Sequence, residues 1–443
     1  MPGPSYGWVG GTTATAARFT VRTPDASRVR LRVSRKADLS AGTDTAPQPV
    51  DRRGLTKHEV TGLTASTAYH WAVEADGVLQ AERGRFRTLP TPGQRADFAF
   101  CAAGDRDIDS DHVVYDKIRE KDPLQFLFLG DLHYVDTDNA DPAAYDALHA
   151  RALSTPRYGR LIREVATVHT WDNHDFTGDF GWSGSPGARA VQESLRAHGT
   201  FYPLPSDGLY YTWVVGRCRF VMLDTRGRRT DPRGPDGASK SMLGEEQKRW
   251  FLDLLLRAPE PVVFVIESIP HRKISADDDR WGAYGAEFDE INAFVNAHGL
   301  GAKLVLISAD RHIVAADRGV HSAIGAMELV AAPLDQKGGA GTGGYELGPI
   351  SPPPGTGQFG HIAVTDAGDA ITVRFTGHDH TGAVLGTLAK TFPAAGYTPD
   401  SGTGVSVRTA DGWRPARVRA KARGGPEPLA PVRPWAWQGD IWS

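Results

Sequence analysis

The sequence predicts an α/β protein with a small all-β module in front of it. Three observations predict this. The first ninety residues alternate apolar and polar side chains in short runs, "ARFTVRT", "SRVRLRVS" and "AYHWAVEADG", the pattern of half-buried strands. After Pro92 short apolar runs alternate with helical stretches, an order that packs helices outside a sheet. The chain has 443 residues, more than one small core accommodates.

Taken in order, "TGLTASTAYHWAVEADG" resembles a fibronectin type III strand pair, with Leu63 and Tyr69 at the positions of its tyrosine corner. Residues 1–90 are therefore expected to form that β-sandwich, and "GRFRTLPTPG" its last strand and a linker. The second unit, residues 95–395, starts with the strand "DFAFCAAGD", the helix "HVVYDKIREK" and the strand "LQFLFLGD". Helix "RYGRLIREV" leads to strand "VATVHTWDNHD", and helix "GARAVQESLRAHG" to strands "YYTWVVG" and "CRFVMLDTR". The amphipathic "LGEEQKRWFLDLLLRA" precedes strand "PVVFVIESIPH"; helix "EFDEINAFVNAHG" precedes strand "AKLVLISADRH". "HIAVTDAG", "AITVRFTGHD" and "VLGTLAKTF" are β again. The Gly- and Pro-rich "QKGGAGTGGYELGPISPPPGTG" reads as a long loop. It lacks the Gly-Lys-Ser/Thr order of a phosphate-binding loop and opens no helix. Residues 396–443 are basic, Pro-rich and Trp-rich, and read either as a flexible tail or as a flap that docks its Trp residues.

Composition excludes several classes. A net charge of −3 argues against a general nucleic-acid or membrane-surface binder, and no apolar run reaches membrane-spanning length. The start, "MPGPSYGWVGG", lacks the basic and apolar regions of an export signal. The expectation is a cytoplasmic protein on the sequence as given, or an extracytoplasmic one if a signal has been removed. Two cysteines, Cys101 and Cys218, are no disulfide framework. Cys218 reads as a small core residue of a strand.

The informative feature is how the strands end. "FLFLGDLHYVD" drives four apolar residues to Gly130 and then presents Asp131, His133, Tyr134 and Asp136. Alone, Gly-Asp is turn chemistry. Other strands end alike: one at Cys101, one at Asp172, Asn173, His174 and Asp175, one at Asp224 and Arg226, one at Asp310, Arg311 and His312. In open α/β sheets ligands bind beyond the carboxyl ends of the strands. These residue types suit a two-metal hydrolytic site, with Asp131 as the bridging carboxylate, and such a site makes a hydroxide nucleophile from water. His174, beside the ligand candidate Asn173, suits protonation of a leaving alkoxide. Arg226 suits a phosphoryl oxygen.

The order "GDLHY", "WDNHD", "LDTRGRR", "SADRH" resembles the metallophosphoesterase superfamily. More narrowly it resembles the PhoD-type alkaline phosphatases and phosphodiesterases, which include a phospholipase D branch. The resemblance implies a four-layer α/β/β/α sandwich over residues 95–395. It also implies hydrolysis of phosphate esters, by metal-activated hydroxide, at an iron–calcium centre, Fe(III) with Ca²⁺, other divalent metals being alternatives. By position it implies Cys101, Asp131, Tyr134, Asn173, Asp310 and His312 as metal ligands, and His174 as proton donor. A thiolate and a phenolate on one metal suit Fe(III); an oxygen-rich second position suits Ca²⁺. Ala309 and Asn173 depart from the usual residues of close relatives, and Glu267, Ser268 and His271 stay open as further ligands. Arg226 and Arg229 are the candidates for holding the substrate; the loop around them, Arg226 to Gly234, is either solvated or a recognition loop. His133, His169, His271 and His361 are singled out by proximity only.

The expected substrate is a small phosphate ester or a phospholipid headgroup. The rival readings are a diesterase of the phospholipase D kind and a non-catalytic binding protein on a degenerate fold. Oligomeric state is not legible.

Overall fold

The computed structural model describes residues 6–204, 208–273, 279–341, 344–397, 406–409 and 412–415. Apart from the hairpin Ser406–Thr409 with Gly412–Pro415, the expectation for the tail beyond residue 397 lies outside the described residues.

The first module has nine strands: β1 Tyr6–Gly10, β2 Ala16–Arg22, β3 Arg28–Ser34, β4 Thr43–Asp44, β5 Gln48–Pro49, β6 Leu55–Thr61, β7 Ala68–Ala75, β8 Val78–Leu79 and β9 Gly84–Arg87. One sheet runs β1-β2-β6; the other runs β4-β3-β7-β8, with β5 on β3 and β9 on β7. The alternation read from the sequence is realised directly. Phe19 and Val21, Leu31 and Val33, Trp71 and Val73, and Phe86 turn inward to a common core. The Tyr69 hydroxyl accepts the Thr64 N–H at 2.9 Å, closing the corner between β6 and β7. β1 also joins the module to the rest of the chain. Trp8 Nε1 donates to the Thr167 carbonyl at 3.1 Å, and Tyr6 Oη lies 2.8 Å from His198 Nδ1.

The second unit carries two sheets face to face. Its strands are β10 Phe98–Ala103, β11 Phe126–Phe128, β12 Thr167–His169, β13 Tyr211–Val215, β14 Cys218–Met222, β15 Val262–Ile266, β16 Leu304–Ser308, β17 Val314–Asp317, β18 Met327–Ala331, β19 Leu347–Ile350, β20 Gln358–Asp366, β21 Ala370–Asp379 and β22 Val384–Pro393. The sheet orders are β12-β11-β10-β20-β21-β22 and β13-β14-β15-β16-β18-β17-β19. Strands β10, β11 and β12 are parallel to one another, and so are β14, β15, β16 and β18, so their carboxyl ends share an edge.

The core between the sheets is built by every second residue: Phe100 and Ala102 of β10, Leu127, Val168, Phe220, Phe264 and Ile307. The outer faces are covered by helices. α1 Val114–Glu120 and α3 Pro156–Glu164 pack on the first sheet, through Ile118, Leu161 and Ile162 against Phe126 and Phe128. α6 Glu245–Arg257 and α7 Gly285–Ala297 pack on the second, through Phe251, Leu255, Phe288 and Ile291 against Val263 and Val265. Helix, sheet, sheet and helix are the four layers. Two further helices, α2 Pro142–Leu153 and α5 Ala188–His198, pack together beside the first sheet, and the single turn α4 Asn173–Phe176 follows β12.

Cys218 is a buried strand residue of the inter-sheet core. His169 is buried among the rings of Trp8, Phe128 and Phe201, and this holds its imidazole down at about 3 from 6.5. The unfolded chain takes up that proton near pH 6.5 and the folded chain does not, so stability is complete above 6.5 and falls below it. The loss is about 1.4 kcal/mol per pH unit until the folded pKa is reached. His169→Leu is expected to flatten the fall in urea-unfolding stability between pH 6.5 and 4; an unchanged slope would show that this ring does not set it.

Candidate active site

The parallel strand ends converge, and the backbone there is strained. Asp105, Asp131, Asp310 and His312 all have φ between 53° and 63°, the left-handed region that non-glycine residues avoid. Strain of this kind persists where surrounding structure enforces it, and it clusters at functional sites. Here the enforcement is visible. Asp105 N–H donates to the Gly130 carbonyl at 3.0 Å, and Arg106 N–H to the Asp131 carbonyl at 3.0 Å. Asp310 N–H donates to Asp105 Oδ2 at 3.2 Å, and His174 N–H to Asp131 Oδ1 at 3.1 Å. Four strand ends are thus tied across one another.

One group of donors converges tightly. Tyr134 Oη lies 2.7 Å from His312 Nε2 and 3.4 Å from Asp105 Oδ1, and His312 Nε2 lies 3.4 Å from Asp105 Oδ1. His312 Nδ1–H donates to the Lys337 carbonyl at 2.6 Å, which leaves Nε2 for the cluster. An imidazole anchored through one nitrogen is how metal-ligating histidines are oriented. Among the described residues, no group of three or more His, Cys, Asp or Glu side chains is placed by itself to hold a metal. It is the Tyr134 phenol that completes this one.

Around it the carboxylates crowd. Burial drives the Asp131 carboxyl well above its usual range, and Asp172, Asp105, Asp175 and Asp310 add to the effect. Asp172 and Asp175 are pushed to about 7, chiefly by burial. Burial and then Asp131 and Asp105 raise the Tyr134 phenol well above 10. Burial opposes the charge on His312, but Asp105 outweighs it and lifts the imidazole to about 9. So many buried acids in one place are a concentrated demand for positive charge. Asp175 shapes the loops, accepting the Leu132 N–H at 2.6 Å and the Asp172 N–H at 3.1 Å. Asn173 is buried; its Nδ2 donates to Asp179 at 2.7 Å, so its amide oxygen is the atom left for another partner. The His174 ring lies against Tyr134, centroids 4.0 Å apart and planes tilted by 31°, and its Nδ1 lies 2.7 Å from Asp136 Oδ1.

Three expectations need correction. Cys101 lies within β10, not at its end. Its neighbours Phe100 and Ala102 face the inter-sheet core, so alternation turns Cys101 to the helical side, among Ile118, Phe126 and Leu161. Burial pushes its thiol up, and the charge that bears on it is Lys121, not a carboxylate of the site. The corner belongs to Asp105, two residues beyond the strand. The signal was present in the sequence: Gly104-Asp105 repeats Gly130-Asp131. Cys101→Ser is expected to leave metal content and any visible absorption unchanged, and to lower stability by about 1–3 kcal/mol, because it buries a hydroxyl among apolar groups. A lost absorption band would return the thiol to the site.

Arg226 and Arg229 are the other two corrections. Both are completely buried. Arg226 Nε donates to Asp172, and its Nη1 to Asp279 Oδ2 at 2.8 Å. Arg229 Nε donates to the Gly181 carbonyl at 2.6 Å, and its Nη1 to the Asp279 carbonyl. Burial, and then the neighbouring Arg226, bring Arg229 down to about 10. Arg226 acts as internal counter-charge for the acids, with Nη2 3.6 Å from Asp310 Oδ1, and Arg229 braces the loop. The loop read as either solvated or recognising thus has Arg226 and Arg229 turned inward, while Arg228 between them is partly exposed. Asp224 is likewise structural, accepting from Trp171 Nε1 at 2.7 Å and from Gly227 N–H at 2.7 Å. Of the open candidates, Ser268 Oγ donates to Asp172 at 2.7 Å, while Glu267 pairs with His271 and Trp281 away from the carboxylate cluster. His133 is fully buried and His361 lies on β20 opposite Cys101.

Two facing sheets flanked by helices, with acids, a phenol, an amide and imidazoles at the shared strand ends, define a metallophosphoesterase-type fold. The PhoD-like phosphatase family profile matches residues 98–347, more than half of the chain, and the chain belongs to that family. Among solved structures it is similar to a structure of PhoD, at 16% identity and a TM-score of 0.71, over 88% of this chain and 90% of that one. It is also similar to purple acid phosphatase PPD1 from yellow lupin (Lupinus luteus), at 13% identity and a TM-score of 0.61, over 88% and 74%. At these identities both are likenesses of fold. No curated protein matches the sequence. Family membership makes hydrolysis of phosphoric esters the activity class, and no helix among the described residues is long and apolar enough to cross a membrane.

Proposed function

We propose that this protein is a metal-dependent phosphoesterase that prefers small phosphate monoesters, working at Asp105, Asp131, Tyr134, Asn173, Asp310 and His312. The observation that carries the reading is the meeting of Tyr134 Oη, His312 Nε2 and Asp105 within 3.4 Å, with His312 anchored from behind by Lys337. That donor set fits a metal. Phenolate, imidazole and carboxylates suit Fe(III) without the thiolate first expected. Asp131, Asn173 and Asp310 would supply oxygens for a second cation of the Ca²⁺ type. Cations held there would polarise the phosphoryl group and lower the pKa of water towards 7.

The chain's own residues do the rest. Asp131 organises the cluster by accepting the His174 N–H while its acid neighbours press on it. Asp136 accepts from His174 Nδ1–H, which fixes the ring; with both ring nitrogens protonated, Nε2–H is the proton given to the leaving oxygen. Arg226 keeps Asp172 and Asp310 compatible with one another inside the fold. The fibronectin type III-like module serves as support docked through Tyr6 and Trp8.

The test is the ratio of kcat/KM for a nitrophenyl phosphate monoester to that for the bis-ester, on protein loaded with iron and calcium. A monoester preference supports the reading. A diester preference moves the protein to the phosphodiesterase or phospholipase D side, and cleavage of neither ester contradicts both.

A further inference from the structure

Arg226, Arg229 and Arg280 lie around the acid cluster, and they are not equivalent. Arg226 and Arg229 are 0% exposed; their hydrogen bonds go to Asp172, Asp279 and the Gly181 carbonyl, and Arg226 Nη2, 3.6 Å from Asp310 Oδ1, is enclosed away from solvent. Arg280 also reaches the cluster, with Nε donating to Asp310 Oδ2, but its side chain is 24% exposed. It thus touches a site carboxylate and solvent at once.

Its position is also built. The preceding residue, Asp279, is held by Arg226 at 2.8 Å and by Arg229 at 3.4 Å, and both arginines hold the Asp279 carbonyl as well. Burial opposes the charge on Asp279, yet Arg226 and then Arg229 outweigh it and keep the carboxyl far below its usual range. The following residue, Trp281, is fully buried and donates its indole N–H to Glu267 Oε2 at 2.7 Å. The backbone of Arg280 is therefore fixed from both sides. The two buried arginines that the sequence nominates for the substrate spend themselves on fixing it.

Resting on the phosphoesterase reading, we infer that Arg280 is the residue that grips the non-reacting oxygens of the phosphoryl group and favours dianionic monoesters over diesters. A guanidinium presents two parallel N–H donors that match a pair of phosphoryl oxygens. A monoester dianion offers three terminal oxygens and two charges; a diester offers two oxygens and one charge. The Arg280 contact is worth more to the first. Asp310, pressed between Arg280 and Arg226, holds the guanidinium ready rather than leaving it to wander.

The experiment uses the full chain loaded with iron and calcium, as wild type, Arg280→Ala and Arg280→Lys. Expected for Arg280→Ala is a rise of about 10- to 100-fold in the monoester KM and in the inhibition constant of inorganic phosphate, the span set by losing a hydrogen bond between charged groups. The bis-ester KM should move less and metal content should stay at the wild-type level. Arg280→Lys should recover part of the phosphate affinity. Unchanged phosphate inhibition would overturn the assignment. So would equal losses on both esters, or a loss of metal that accounts for the effect, since Arg280 would then only support Asp310. If the wild type cleaves neither ester, the phosphoesterase reading fails by itself. Calorimetric binding of inorganic phosphate to wild type and Arg280→Ala then decides the arginine separately: weaker binding in the variant sustains the phosphoryl grip, and equal binding removes it.

Discussion

Asp131→Asn is expected to lower kcat by about 10²-fold or more, with the fold intact. Loss of groups that merely surround a metal centre typically costs 10–100-fold, and Asp131 stands inside the cluster. Its carboxylate takes the His174 N–H, and its carbonyl takes the Arg106 N–H. The substitution keeps the shape and removes the charge. It therefore separates two consequences. Without metal, Asp131→Asn should raise stability, because Asp172, Asp105, Asp175 and Asp310 no longer press on a buried neighbour. With metal, the wild type should gain thermal stability by mass action and the variant much less. Thermal unfolding with and without added metal checks both. A variant that keeps wild-type activity would remove Asp131 from the centre.

His174→Ala is expected to lower kcat by about 10²–10⁴-fold on an alkyl phosphate, where the leaving alkoxide needs a proton, and much less on a nitrophenyl ester, whose leaving group departs unaided. The geometry behind this is the 2.7 Å contact from Nδ1 to Asp136, and the tilted ring contact with Tyr134, which together restrict the ring. Asp136→Asn should give a smaller loss with the same dependence on leaving group, because it disturbs the imidazole and leaves the rest of the site in place. Equal losses on both esters would show that His174 supports the cluster without handing over a proton.

Legibility in the sequence differed from residue to residue. The two sheets were legible because β10 through β16 are short apolar runs between amphipathic helices, and burial on both faces requires such runs. That Asp131, Tyr134, Asn173, His174, Asp310 and His312 follow strand ends was legible because polar groups stop an apolar strand abruptly. Asp105 carries the same mark, yet Cys101 drew the assignment, since the pattern does not show where a strand ends to within a few residues. In β10 those few residues decide which face a side chain takes. Arg226 and Arg229 were legible as basic but not as buried: their partners Asp172 and Asp279 are 54 and 50 residues away from them in the chain. Arg280 sits in "DDDRWGAYG", which carries no strand-end pattern; its placement follows from the pinning of Asp279 and Trp281. Asp136 is distinguished only by the turn that brings it to His174.

The decisive measurement is nitrophenyl phosphate hydrolysis by the purified protein, before chelation, after it, and after iron and calcium are restored, with the visible spectrum followed throughout. If Tyr134, His312 and Asp105 hold iron, activity and a phenolate-to-iron band vanish together and return together. Tyr134→Phe then abolishes the band while Cys101→Ser does not. Activity that survives complete removal of metal, or a band that depends on Cys101 and not on Tyr134, would contradict that centre.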